Sequence, residues 1–209
     1  MFANREMAHM NTFITAIRRS NASTVRDMLT AGMDPNTVDD AGHAPLCEAA
    51  SRDQLDVVSL LLQHGADVNI RQPDGRRPLT EAAFRGSLDM VKRLLEHGAD
   101  INAGGAGDGS ALFWAACADA LEVVHHLLKI GCDVNRPSAE GYTPLQQVAS
   151  SGRSRALSIA QVLIQYGADV NHTSPHGITA LMRSASGSHV EMARLLLESG
   201  ADPMVTTDH

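Results

Sequence analysis

Residues 74–102 read DGRRPLTEAAFRGSLDMVKRLLEHGADIN, and the same pattern recurs on both sides of them. The ending Gly98-Ala99-Asp100-Ile101-Asn102 returns as Gly65-Ala66-Asp67-Val68-Asn69, Gly131-Cys132-Asp133-Val134-Asn135 and Gly167-Ala168-Asp169-Val170-Asn171, with looser versions at Gly32 and Gly200. These glycines stand 33, 33, 33, 36 and 33 residues apart. Leu46, Leu79, Leu112, Leu145 and Leu181 keep the same step and place the extra three residues between Leu145 and Gly167. Two markers in one register establish an internal repeat.

One unit can be read physically. Pro78 suits the first position of a helix, where its missing N–H would have no partner anyway. Leu79, Ala82 and Ala83 then share one side of a short helix, and the paired alanines let a neighbouring backbone come close. Gly86 breaks the run. Leu88, Val91, Leu94 and Leu95 recur at three- and four-residue spacing, which predicts a second amphipathic helix, ended by Gly98 in the left-handed turn that follows a helix. Such a helix pair buries too little apolar surface to fold alone, so copies must stack.

The openings and endings together, with Gly141-Tyr142-Thr143-Pro144-Leu145 the most faithful opening, resemble the ankyrin repeat over nearly the whole chain. The resemblance implies an all-α ankyrin-repeat solenoid: antiparallel helix pairs, β-turn fingers projecting at right angles, and binding of other proteins through the fingers and the concave helix face. It also implies the absence of catalysis.

Composition is consistent with this. Aromatic residues make up only 3% of the chain, so any that is exposed carries information. The net charge of −7, with no basic block, argues against nucleic acid as the partner. Three cysteines, Cys47, Cys117 and Cys132, without Cys-x-x-Cys spacing suggest neither a disulfide framework nor a zinc site, and fit a reducing, cytoplasmic setting. No apolar run approaches the roughly 18 residues of a membrane span.

Residues 1–9 match nothing in the repeat and read as a disordered arm or vector-derived leader. Residues 10–209 read as one solenoid: a degenerate first repeat at 10–36, repeats at 37–69, 70–102, 103–135 and 136–171, a C-terminal repeat at 172–203, and a tail at 204–209. In the first repeat Phe13, Ala16 and Ile17 stand where Leu46, Ala49 and Ala50 stand later, while Arg18, Arg19, Asn21 and Arg26 read as a polar end face. Ala44 and Arg77 occupy the position before proline where threonine is expected, so both helices lack a side-chain cap. The finger from Asn102 to Gly109 is glycine-rich and reads as the most mobile. The three extra residues fall near Ser150–Arg155, in the turn between two helices. The second helix of the last repeat, with Val190, Leu195, Leu196 and Leu197, keeps its apolar set, so it is either poorly capped or covered by a partner.

The chain offers few candidate sites for chemistry. The glycine run lacks the Gly-Lys-Ser/Thr ending of a phosphate cradle. His172 and His176 lie in a finger beside Pro175, and His125 and His126 are adjacent and diverge, so neither pair reads as a metal site. His64 and His97 precede terminating glycines, where a polar side chain can satisfy last-turn carbonyls. Cys117, set among alanines, reads as a packed thiol, and Glu48 and Glu81, at equivalent positions, as a solvated stripe. No catalytic, metal or cofactor site is expected.

The informative positions are those the repeat leaves free: two, five and six residues after each opening leucine, and the residue before the Thr-Pro position. They give Thr15, Arg18 and Arg19; His43, Glu48, Ser51 and Arg52; Arg76, Glu81, Phe84 and Arg85; Trp114 and Cys117; Tyr142, Gln147 and Ser150; Ile178 and Arg183. From these the expected partner-binding set is His43, Glu48, Arg52, Arg76, Glu81, Phe84, Arg85, Trp114, Tyr142 and Gln147. Aromatics and arginine are the residues of which binding hot spots are made. The bland alternative turns Trp114 inward beside Phe113. The expected function is a monomeric protein-binding module, whether adaptor, inhibitor or immunity protein, or effector, with a bacterial immunity or effector protein the leading form. The competing reading is a small-molecule-binding protein or enzyme with a pocket in the concave groove near Trp114.

Overall fold

The computed structural model describes residues 12–104 and 109–206, and every regular element among them is a helix. Residues 12–18 form α1. There follow α2 (Ala22–Thr30), α3 (Pro45–Ser51), α4 (Leu55–Gln63), α5 (Pro78–Arg85), α6 (Leu88–Glu96), α7 (Ala111–Cys117), α8 (Leu121–Lys129), α9 (Pro144–Ala149), α10 (Ala156–Gln165), α11 (Ala180–Ser186) and α12 (Val190–Glu198). The expectations for residues 1–9 and for residues 105–108 of the glycine-rich finger fall outside the described residues.

The chain divides into two compact units, Met1–Asp100 and Ile101–His209. Within each, the first helix of a repeat packs on the second, and like helices pack on like. In the first unit α3 lies against α5, and α2 against α4. In the second, α9 lies against both α7 and α11, and α10 against both α8 and α12. Helices this short are marginal alone, so tertiary packing of their apolar faces sustains them. Leu46, Leu79, Leu112 and Leu145 are buried as the pattern requires, as are Ala49, Ala50, Ala82 and Ala83. In α6 the buried set is Met90, Val91 and Leu94, while Leu88 and Leu95 are only half-buried. The spacing had favoured the leucines; the buried arc of so short a helix is narrower than the apolar stripe.

Pro45, Pro78 and Pro144 each open a helix. Thr143 accepts from the Gln146 N–H while Gln146 accepts from the Thr143 N–H, a complete capping box. Ser110 and Thr179 cap α7 and α11 in the same way, without the return bond. Ala44 caps nothing, as its sequence requires, although its own N–H donates to Gln72 Oε1 at 3.0 Å. Arg77 has no acceptor to offer, yet its N–H is satisfied by Thr80 Oγ1 at 2.9 Å, and its Nη1 donates to the Asn69 carbonyl. Thr143 and Thr179 are buried at the position equivalent to Ala44, so a threonine fits there. Ala44→Thr should therefore raise stability by about 0.5–2 kcal/mol; an unchanged or lower denaturant midpoint would contradict the missing cap. No such gain is expected for Arg77→Thr, which would lose the bond to Asn69.

The repeat endings have a definite structural role. Gly98 has φ +87°, and a Cβ there would meet nothing within 4 Å, so backbone conformation rather than space demands glycine. The asparagine that closes each repeat clamps the next. Asn69 Nδ2 donates to the Gly98 carbonyl at 3.1 Å, and its Oδ1 accepts from the Asp100 N–H at 2.8 Å. Asn36 does the same to Gly65 and Asp67, Asn135 to Gly167 and Asp169, and Asn171 to Gly200 and Asp202. The aspartates use Oδ1 to accept the N–H two residues on, which closes the loop.

Each described finger is a tight turn closed at its base. Asp39, Gln72, Ser138 and Ser174 accept from the glycine N–H three residues later and donate to the carbonyl of His43, Arg76, Tyr142 and Ile178 respectively. The three extra residues lie between α9 and α10, where expected. That turn is tied down by Asp119, whose carboxylate accepts from Ser154 Oγ and the Arg155 N–H, each at 3.2 Å. On α12, Val190 and Leu197 remain exposed.

Candidate protein-binding face

In both units the free positions lie on the first helices and on the finger stems. In residues 1–100 the face is dominated by paired charge. Glu48 on α3 accepts from Arg52 Nε at 2.6 Å and from Arg18 Nε at 3.2 Å. Arg18 also reaches Asp39 Oδ2 at 3.2 Å, and Asp39 bonds His43 Nδ1 at 3.0 Å. Arg18 therefore belongs not to a polar end face but to a bridge into the next repeat. Burial works against the charged form of Glu48, but the hydrogen bonds from Arg52 and Arg18 outweigh it and hold its carboxyl below the usual range. Asp39 is lowered too: burial again opposes, and the hydrogen bonds from His43 prevail.

One repeat on, Glu81 on α5 is buried at 7% exposure and accepts from Arg76 Nη1 at 3.1 Å; Arg76 also lies 3.4 Å from Asp74. The solvated stripe expected of Glu48 and Glu81 is thus a row of arginine-paired, largely covered carboxylates. Beside it Phe84 is 49% exposed and Arg85 is exposed.

The depressed carboxyls have a consequence for pH. Their pairing contributes stability that is present above the unfolded pKa values, near 4, and is lost as pH falls through the lower folded values. Acid titration of the denaturant midpoint should be flatter below about pH 4 in Glu48→Gln than in the wild type; identical acid limbs would show that the pairing is not felt in stability.

In residues 101–209 the same positions carry different chemistry. Trp114 on α7 is half-buried, edge-on to Phe113 with ring centroids 5.7 Å apart, and lies against the backbone of Gly109. Tyr142, half-buried on its finger stem, carries the Arg183 guanidinium 4.3 Å from its ring centroid. From α11, Arg183 Nη2 reaches back to α9, donating to Ser150 Oγ at 2.7 Å and Gln147 Oε1 at 3.4 Å. Cys117 lies within reach of the same group. Burial pushes its thiol up to about 11, against the opposing pull of Arg153, Arg183 and Gln147.

So the structure brings together His43, Glu48 and Arg52, and separately Arg76 and Glu81. In the other unit it brings together Tyr142 and Gln147 through Arg183, which stood among the free positions but outside the expected set. Its part could have been read from register, because Arg183 follows Leu181 as Gln147 follows Leu145 and Trp114 follows Leu112.

Histidines 64 and 97 bond the carbonyls of Leu60 and Arg93 through Nδ1 at 2.9 and 2.8 Å. That is the helix-end role expected of them. All three cysteines are free. Among the described residues there is no group of three or more His, Cys, Asp or Glu side chains that could hold a metal ion, and no helix long and apolar enough to cross a membrane.

A family model described as ankyrin repeats (3 copies) matches residues 13–104 and 110–207. The chain belongs to the ankyrin-repeat family. The interval between the two matched spans falls in the glycine-rich finger, where Gly109 is displaced from the repeat register. Ankyrin repeats generally mediate protein–protein interaction. A search of curated proteins found no match.

Proposed function

We propose that this ankyrin-repeat protein is a binding module with no catalytic activity of its own, which holds another protein on the face of its first helices and on its fingers. The observation that carries this reading is the exposure of Phe84, 49% open to solvent on the first-helix face. Large apolar side chains left open on such a face mark interaction sites, and half-exposed Trp114 and Tyr142 occupy the corresponding face of the other unit. The partner-binding set is His43, Glu48, Arg52, Arg76, Glu81, Phe84, Arg85, Trp114, Tyr142 and Gln147. His43, Glu48, Arg52, Arg76 and Glu81 are already paired, so they supply orientation and selectivity more than raw affinity.

Three free thiols fit a reducing cytoplasmic setting, and the working form is a monomer. Adaptor, inhibitor or immunity protein, and effector are the roles open to such a module. The test is affinity capture from the native extract with wild type, Phe84→Ala and Trp114→Ala side by side. A protein retained by wild type and lost from both variants supports the reading. Retention of the same proteins by all three would refute it.

A further inference from the structure

The two first-helix faces differ in how their cations are neutralised. In residues 1–100 the arginines that reach across the face, Arg18, Arg52 and Arg76, each find a carboxylate. In residues 101–209, Arg155 pairs with Glu122 and Arg194 with Glu191, while Arg136 donates to the Gly104 carbonyl. Arg183 and Arg153, the two beside Cys117, have no carboxylate among the described residues.

Arg183 is held in place nonetheless. Tyr142 supports one face of its guanidinium, and Ser150 and Gln147 occupy Nη2. A guanidinium has five N–H donors, so the Nε–H and both Nη1 hydrogens stay without an acceptor. Nε is shut off from solvent and still unbonded; Nη1, equally unbonded, is not shut off. A buried donor without a partner is costly. Both parallel-donor edges of a guanidinium include Nη2, whose hydrogens are taken, so what Arg183 offers an incoming carboxylate is its charge and the open Nη1 donor, on a group already fixed by stacking. The site is thus a positive, oriented group with an open donor in a chain whose net charge is −7.

We propose that the partner presents an acidic segment to this face, with an aspartate or glutamate carboxylate seated on Arg183 beside Tyr142 and Gln147, and with Arg153 flanking it. This rests on the protein-binding reading and specifies the chemistry of what is bound. Half-exposed Trp114 on the neighbouring helix offers an apolar surface for the residues beside the acid. The charge complementarity is local: the carboxylate meets Arg183 and Arg153, for which no carboxylate partner is found among the described residues.

The full chain, as wild type, Arg183→Gln and Arg153→Gln, is used to select from a displayed library of random 12-residue peptides, and affinities are then measured for peptides selected by the wild type. Expected is an enrichment of Asp or Glu at one position. Changing that residue to its amide should weaken binding to the wild type at least tenfold. With Arg183→Gln the acid and amide peptides should bind alike, and Arg153→Gln, at an exposed position in the inserted turn, should reduce the preference several-fold. Enriched peptides with no acidic preference would overturn the inference while leaving the protein-binding reading intact. An acid-to-amide ratio unchanged in both variants would overturn it too, including where Arg183→Gln weakens both peptides equally through loosened packing of α9 and α11. Recovery of no peptide above background would remove both the inference and the reading beneath it.

Discussion

Leu127→Ala should lower the stability of the chain by about 2–5 kcal/mol. Leu127 on α8 is fully buried, and in a stack of short helices it has no redundant neighbour to fill the space it leaves. The loss combines the transfer of the removed atoms with the cavity left behind, because close-packed surroundings relax only in part. Leu157→Ala is the control: on α10 that leucine is 37% exposed, and its truncation should cost well under half as much. The measurement is the equilibrium denaturant midpoint at fixed m-value. Equal losses at the two positions would mean that burial in the stack does not decide stability.

The second large effect concerns binding. Trp114→Ala should weaken the captured partner by more than about 2 kcal/mol, some thirtyfold, as loss of a hot-spot aromatic does. Its effect on the fold should be smaller, about 0.5–1.5 kcal/mol, the value of an edge-to-face aromatic pair such as it makes with Phe113. A fully exposed indole would leave stability untouched, and a core indole would cost roughly 3–5 kcal/mol on truncation. The half-buried position predicts an intermediate emission maximum in the free protein, and a blue shift with protection from acrylamide when the partner binds. Stability falling by the full core amount with binding unchanged would return Trp114 to a purely structural role.

How far the sequence reaches can be seen by comparing particular residues. Gly98 and Pro78 were legible because each answers a backbone demand that only a few residue types satisfy, a positive φ and a first helical position; Asn69 was marked by its recurrence alone, and its clamp on the next repeat is a finding of the structure. Such demands recur with the repeat, so the repeat exposes them. The pairing of Glu48 with Arg18 was not legible. It joins residues 30 apart, and which of several arginines bends toward a given carboxylate depends on the stacking of one repeat on the next.

The choice of Met90 over Leu88 escaped for a similar reason, since periodicity gives the apolar stripe but not its buried centre. Trp114 shows where register stops. Two residues after an opening leucine it was expected to look into the groove, yet with no threonine or proline ahead of α7, Gly109 and Phe113 come close enough to cover part of the ring.

The central claim is that a partner protein lies on the first-helix face. It is tested most directly by placing a photoreactive phenylalanine analogue at Gln147 or, as control, at Leu157, and irradiating each protein in native extract. Gln147 is on α9 within the face, and Leu157 is an exposed residue of the second-helix layer. A discrete higher-mass adduct from the Gln147 position and none from the Leu157 position is the expected result. Adducts of equal yield from both, or from Leu157 alone, would contradict it.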